Sequence, residues 1–236
     1  MRREVLPELL DQLPASDARA IGSRRDLQKV NSCMGHARIM DRVLAGSFSA
    51  ASPHSIVDLG GGDGTLLLRL ARRVAPRWKP LRAVLVDREQ ILSDRTRAEF
   101  ETLSWRVESH QADIFEWLER PRRDGSDAII ANLFLHHFRR DDLRRLFELA
   151  ARQTDFFLAC EPRRDGFSLL SASLLGFIGC NDVTRHDAKV SVRAGFVQDE
   201  LSALWPAGDG WRLQERSAGL FSHCFVAQRT PRGLPS

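Results

Sequence analysis

The sequence of 236 residues is short of three things: long apolar runs, cysteine and lysine. Without some 18 consecutive apolar residues, a membrane-spanning helix is not expected. The opening Met1-Arg2-Arg3-Glu4-Val5-Leu6-Pro7-Glu8 lacks the apolar centre of a secretory signal. Cys33, Cys160, Cys180 and Cys224 are scattered with neither disulfide nor metal spacing, so a reduced, cytoplasmic setting is expected. No cysteine–histidine cluster suggests a metal, which argues against a metal-dependent catechol mechanism. Lys29, Lys79 and Lys189 are the only lysines, and the remaining basic residues are 32 arginines. These come as dispersed pairs, such as Arg72-Arg73 and Arg144-Arg145, mostly with acids nearby in sequence. The net charge of +4 therefore reads as solvated helix faces rather than a nucleic-acid stripe. No internal repeat or low-complexity tract interrupts the chain.

What is present is a rhythm of strands and helices. Apolar runs at Ser55–Leu59, Leu81–Asp87, Trp105–Ala112, Asp127–Leu133 and Asp155–Cys160 read as strands, with helical stretches near 65–75, 89–102, 114–119 and 141–152 between them. Alternation of this kind implies a parallel sheet covered by helices on both faces. Residues 1–50 read as a helical cap, with a short helix around Arg3–Gln12 and a longer one across Arg25–Leu44. Beyond Glu161 the rhythm changes. Residues 163–195 read as an insertion, apolar and helical around Phe167–Phe177 and then polar through Asn181–Asp187. A further helix is expected over 195–204. Trp211–Ser217 and Ser222–Arg229 then form a closing hairpin, and 231–236 a frayed tail. The domain proper is expected at 51–230.

The most telling stretch is Ile56-Val57-Asp58-Leu59-Gly60-Gly61-Gly62-Asp63-Gly64. It is a strand that ends on an acid and breaks into glycines before an amphipathic helix, the context in which a ligand-binding turn is credible. Glycine lets the backbone take positive φ and come close to a bound molecule. The spacing Gly60-x-Gly62-x-Gly64 differs from the G-x-G-x-x-G of dinucleotide folds. Asp58 and Asp63 sit poorly beside two phosphates and suit a cationic, hydroxyl-bearing ligand. Asp87 ends the second strand, where it can accept both hydroxyls of a ribose. Asp113 follows the third, where it can accept from an adenine amino group. Each acid has a plainer reading as a loop or helix-cap residue.

Together these residues resemble the class I S-adenosylmethionine-dependent methyltransferases over about residues 50–230. The resemblance implies a Rossmann-like α/β sheet of seven strands: five parallel strands plus the C-terminal antiparallel hairpin, under an N-terminal helical lid. It implies S-adenosyl-L-methionine as cofactor and S-adenosyl-L-homocysteine as product. Asp58, Gly60, Gly62 and Gly64 would border the methionine part, Asp87 the ribose, Asp113 and the adjoining Ile114 the adenine, and Asn132 the amino-acid end. The segment Leu27–Gly35 is similar to the lid helix of ubiquinone/menaquinone methyltransferases.

For the acceptor there are two histidine clusters. Leu135-His136-His137-Phe138 is similar in position to the histidine segment of plant phenolic O-methyltransferases, where His136 would match the base, His137 replaces an aspartate and Phe138 a tryptophan. Histidine suits removal of a hydroxyl proton near neutral pH. Two histidines at this place also occur in relatives that methylate carbon, and His136 could equally be structural or shape the substrate. The second cluster is Arg185-His186-Asp187, with His186 as an alternative base, Arg185 and Asp187 as substrate contacts, or the group as a helix cap. Met34, Phe138 and the apolar residues at 167–178 suggest a greasy acceptor site, although a plain core face explains the latter set as well. His36, His54, His110 and His223 read as structural or surface residues. The expectation is O-methylation of a small phenolic or polyketide-type acceptor, helped by a looser similarity of Asn181–Phe196 to methyltransferases associated with type III polyketide synthases. Carbon methylation of a quinone-like ring, methylation of RNA or protein, and a non-catalytic cofactor-binding role remain open alternatives, as does a homodimer.

Overall fold

Strand residues that point alternately to two covered faces must be apolar on both, and the central runs satisfy this. The computed structural model describes residues 1–14, 16–49, 52–89, 91–120, 127–208 and 210–230. In chain order its elements are α1 (Leu9–Gln12), α2 (Ala18–Met34), α3 (His36–Ser47), β1 (Ser55–Leu59), α4 (Thr65–Val74), β2 (Arg82–Asp87), α5 (Asp94–Thr102), β3 (Arg106–Gln111), α6 (Ile114–Glu119), β4 (Ala128–Asn132), α7 (Arg140–Gln153), β5 (Phe156–Pro162), α8 (Gly166–Leu174), α9 (Asp182–Ala194), β6 (Trp211–Ala218) and β7 (Ser222–Arg229). Short 3-10 turns lie at Leu135–His137, Leu175–Ile178 and Ser202–Leu204.

The seven strands form one sheet in the order β3-β2-β1-β4-β5-β7-β6. The first five in sequence pair in parallel, and β7 pairs antiparallel with both β5 and β6. This is the Rossmann-like sheet with a closing hairpin that the resemblance implies. Odd-numbered residues of the central strands (Val57, Leu59, Ile129, Phe157) face a core with α6 and α7, including Phe147, Trp205 and Phe225. Ile56, Ile130 and Leu158 face the opposite core with Met40, Leu44, Leu67, Trp78 and Phe100. The outermost strand, β6, carries Arg212, Glu215 and Arg216, and charge of this kind keeps a free edge from pairing with another chain. Strand order reverses between β1 and β4, so a crevice opens at their carboxyl ends, the usual ligand position in such sheets.

Several expectations need correction. The single helix across Arg25–Leu44 is two helices. Gly35, at φ 69°, ends α2 and turns the chain into α3. In the N-terminal stretch only Leu9–Gln12 is helical. No helix covers 195–204. Gly195 lies so close to the Pro162 carbonyl that a Cβ would overlap it, and Phe196 donates its N–H to that carbonyl at 2.9 Å. The helix lies earlier, as α9, and is capped by Asn181, whose side chain accepts from Thr184 N–H at 2.8 Å. The expected tail at 231–236 lies outside the described residues. Among those described, no helix is long and apolar enough to cross a membrane. Several of the paired arginines meet carboxylates, for example Arg73 with Asp41 at 3.2 Å and Arg145 with Glu119 at 2.6 Å.

The N-terminal helices divide their contacts. α1 and α2 rest on α9, whereas α3 packs on α4 and β5 and puts Met40 and Leu44 into the core. At the glycine turn the fit is close: Gly60 has φ 70°, and a Cβ there would overlap the Phe134 ring. Gly60→Ala is therefore expected to lose more than the roughly 1–2 kcal/mol that a left-handed conformation alone costs an L-residue. Gly62→Ala, with only Ile91 near and at 3.9 Å, should lose only that conformational term. Urea denaturation of the two variants gives the comparison, and equal midpoints would contradict the packing argument.

Candidate functional site

The site is built where β1, β2 and β4 end. After β1, Gly60, Gly62 and Gly64 all take positive φ (70°, 51° and 74°), and Asp58 is 2% exposed in the last turn of the strand. Burial, and then the charge of Asp87, push the Asp58 carboxyl up to about 8. Asp87 ties the two loops together: its carboxylate accepts from Gly62 N–H at 2.9 Å and Glu89 N–H at 3.0 Å. Each oxygen keeps a lone pair for a ribose hydroxyl. Asp113 caps α6, accepting from Phe115 N–H at 2.9 Å, and pairs with Arg88 at 2.9 Å. Its plainer reading as a helix cap is thus realised, with Ile114 buried beside it. Asn132 Oδ1 accepts from His36 Nδ1, and the other ring nitrogen of His36 lies 2.6 Å from the Ser222 hydroxyl. The residues fit the implied cofactor in two respects. The turn has backbone freedom at three glycines, and the buried Asp58 would gain the positive partner it lacks.

Beyond β4, Leu133 takes φ 50°, an uncommon conformation for a branched residue and a mark of local constraint. The chain then enters the 3-10 turn Leu135–His137. That turn is held from below by Glu161 of β5, which is fully buried. Glu161 accepts from the amides of Phe134 (3.0 Å), Leu135 (2.9 Å) and His136 (3.3 Å), and from His136 Nδ1 at 2.8 Å. The other ring nitrogen of His136 lies 3.6 Å from Glu8 Oε1. Burial opposes charge on His136, but the Glu161 and Glu8 carboxylates outweigh it and raise the imidazole to about 9. Burial likewise works to raise Glu161, yet the imidazole and the three-amide cradle hold it below the ordinary carboxylate range. His137 has an exposed edge, and its ring centroid is 4.2 Å from that of His136. Desolvation on its inner side and then the His136 charge push it down to about 4. Phe138 packs edge-on to Phe134 at 5.0 Å and Phe115 at 5.7 Å. Phe134 therefore bridges the glycine turn and the histidine turn.

The second cluster has a different role. His186 Nδ1 lies 3.0 Å from Asp187, and buried Asp187 also accepts from Leu9 N–H (2.8 Å) and Leu10 N–H (3.0 Å). Asp187 thus anchors the N-terminal segment, with His186 beside it. Arg185 folds back on its own helix toward Asn181 O and lies against Gly176. The group is inside α9, whose cap is Asn181, so it is not a helix cap. Of the apolar residues of 167–178, Phe167, Leu170, Leu174 and Phe177 are exposed, so a plain core face does not explain them. Met34 is partly buried at the end of α2.

Sequence reasoning missed Glu8 and Glu161. Glu161 was visible only as the place where the rhythm changes. Glu8 gave no signal, because its relation to His136 exists only after folding. Arg3 was missed too: it donates to the carbonyls of Ala194 (2.7 Å) and Phe138 (2.9 Å) and lies 4.4 Å over the Phe196 ring.

Residues 56–155 match the family described as "Methyltransferase domain". The chain carries a class I, S-adenosylmethionine-dependent methyltransferase domain. No curated protein matches this methyltransferase by sequence. Among solved structures it is similar to the plantazolicin methyltransferase BpumL in complex with SAH, with 14% identity, 93% of this chain and 94% of that one covered, and a TM-score of 0.63. It is also similar to an O-methyltransferase family protein from Burkholderia thailandensis (18% identity, 93% and 65% covered, TM-score 0.57). A third is the pyocyanin biosynthetic protein PhzM (21% identity, 94% and 60% covered, TM-score 0.57). The chain thus spans nearly all of the first relative and about three-fifths of the last two.

If Asp58 meets the positive end of the cofactor, binding should release a proton, because a nearby cation favours the carboxylate. Without cofactor, the folded state binds this proton more tightly than the unfolded chain, whose carboxyl titrates near the ordinary value of about 3.9. Stability of the cofactor-free methyltransferase should therefore fall as pH rises from about 4 toward 8. Calorimetry at pH 7 in buffers of different ionisation enthalpy should show proton release on S-adenosylmethionine binding, absent in Asp58→Asn.

Proposed function

We propose that this methyltransferase transfers the methyl group of S-adenosylmethionine to a hydroxyl of a small aromatic or polyketide-type acceptor, with His136 facing the acceptor oxygen. The observation that carries this reading is the Glu161–His136 pair, where one ring nitrogen is fixed by a buried carboxylate at 2.8 Å and the other lies 3.6 Å from Glu8 Oε1. Its position after β4, joined to the glycine turn through Phe134, supports this reading. The names of the structural relatives, an O-methyltransferase family protein and two proteins of natural-product chemistry, support a small acceptor.

The cofactor supplies an already activated methyl group, so the protein mainly has to align the acceptor and manage its proton. In the closed arrangement described above, His136 stays protonated between two carboxylates. Departure of Glu8 with the Nε2 proton leaves a neutral imidazole. Its Nδ1–H remains on Glu161, and Nε2 is free to accept the hydroxyl proton as the oxygen attacks. Phe138, Phe134 and Met34 would form the apolar wall for the acceptor ring.

One observation favours a second reading. An imidazole raised to about 9 is already protonated at neutral pH and has no free lone pair to take a proton, as suits carbon methylation of a ring that supplies its own acidity. His136→Ala distinguishes the two. Under O-methylation it should lower kcat by about 10²–10⁴-fold without changing cofactor affinity. Mass spectrometry of products from labelled cofactor and a panel of phenols and polyketides reads this out, and near-normal turnover would sink the base assignment.

A further inference from the structure

Glu8, His136 and His137 come together from distant parts of the chain, and each offers one ligand atom within 4.8 Å of the other two. We infer that these three side chains form a binding site for a divalent transition-metal ion such as zinc(II). The inference goes beyond the proposed acceptor chemistry: an ion on His136 Nε2 occupies the nitrogen given there as the base, and the ion itself would then make the acceptor hydroxyl more acidic.

Four observations support it. First, the His136 Nε2 to Glu8 Oε1 distance of 3.6 Å is too long for a hydrogen bond. It is close to the separation of about 3.4 Å between two ligands on a tetrahedral ion with bonds near 2.1 Å. Second, the nitrogen of His136 that does not face the site donates to buried Glu161 at 2.8 Å. A carboxylate behind the imidazole is what orients a metal-binding histidine and fixes its tautomer. Third, Glu8 is held in place before any ion arrives: Ser191 donates to its carboxylate, and Asp187 accepts from the next two amides, Leu9 and Leu10. Fourth, His137 has an exposed edge, so solvent reaches the cluster.

Two imidazoles and one carboxylate select borderline metals over magnesium or calcium, which prefer all-oxygen sites. With three protein ligands a tetrahedral ion keeps one position open. At this site that position would face the acceptor, where a bound hydroxyl would become more acidic. Closing the cluster onto an ion requires side-chain shifts of roughly an ångström, since its widest separation is up to 4.8 Å and a tetrahedral edge is about 3.4 Å.

The test uses the full chain without an affinity tag, stripped with chelator and titrated with zinc(II) by calorimetry, with magnesium(II) as control. Expected is one zinc ion per chain and no measurable magnesium binding. His137→Ala and Glu8→Gln should each weaken zinc at least 10-fold, and Glu161→Gln by about 10–100-fold through the loss of its support. Binding of S-adenosylmethionine and thermal melting of each variant show that it is folded. His137→Ala alters an exposed side chain and keeps the experiment decisive if Glu161→Gln fails to fold. No zinc binding to the folded parent, or zinc binding unchanged in both His137→Ala and Glu8→Gln, would overturn the site. Methyl transfer is not needed for either readout, so a wrong acceptor reading and a wrong metal site remain distinguishable.

Discussion

The Glu161 carboxylate, fully buried at the end of β5, accepts three backbone amides of the turn after β4 and one nitrogen of the His136 ring. A charge removed from water this completely survives only if every lone pair has a donor. Here the donors are the segment that must be shaped. The acid holds the 3-10 turn at the strand end, fixes one nitrogen of the His136 ring, and leaves the other beside Glu8. Removing the carboxylate would free three buried amides together with the ring. The histidine turn and its support are therefore one unit.

The N-terminal segment depends on that unit. Glu8 settles beside the charged imidazole, and burial of its carboxylate is outweighed by the His136 charge, so it too is held below its ordinary range. Arg3 reaches the carbonyls of Phe138 and Ala194, and Asp187 receives the amides after Glu8. Three short pieces of chain thus close over the histidine turn through polar contacts, with few apolar ones. Polar closure of this kind is compatible with opening, because water can replace each partner at modest net cost.

The strands were legible because burial on both faces forces continuous apolar runs, and Ser55–Leu59 and Ser222–Arg229 lie where their sequences place them. Helix boundaries were less legible. Arg25–Leu44 keeps an apolar stripe across Gly35, so periodicity alone reads through a break that a single left-handed residue makes. The stretch 195–204 looks helical in composition, but packing of Gly195 against Pro162 fixes an extended backbone there. The apolar residues of α8 illustrate the opposite limit: hydrophobicity without a face to bury it on does not say which side is covered.

For the site, local sequence carried the donor half. The glycine turn and the acids Asp58, Asp87 and Asp113 sit on consecutive strand ends, so spacing along the chain translates directly into spacing along the sheet edge. The candidate acceptor half rests on contacts between residues remote in sequence: Glu8 with His136, and Asp187 with the amides of Leu9 and Leu10. Such pairs have no periodic signature. By itself the sequence determined the sheet, the turn and the class of methyl donor, all of which follow from short-range patterns. Only tertiary structure decided that His136 lies between Glu161 and Glu8, and that Asp187 holds the amides of Leu9 and Leu10, because both depend on which remote residues folding brings together.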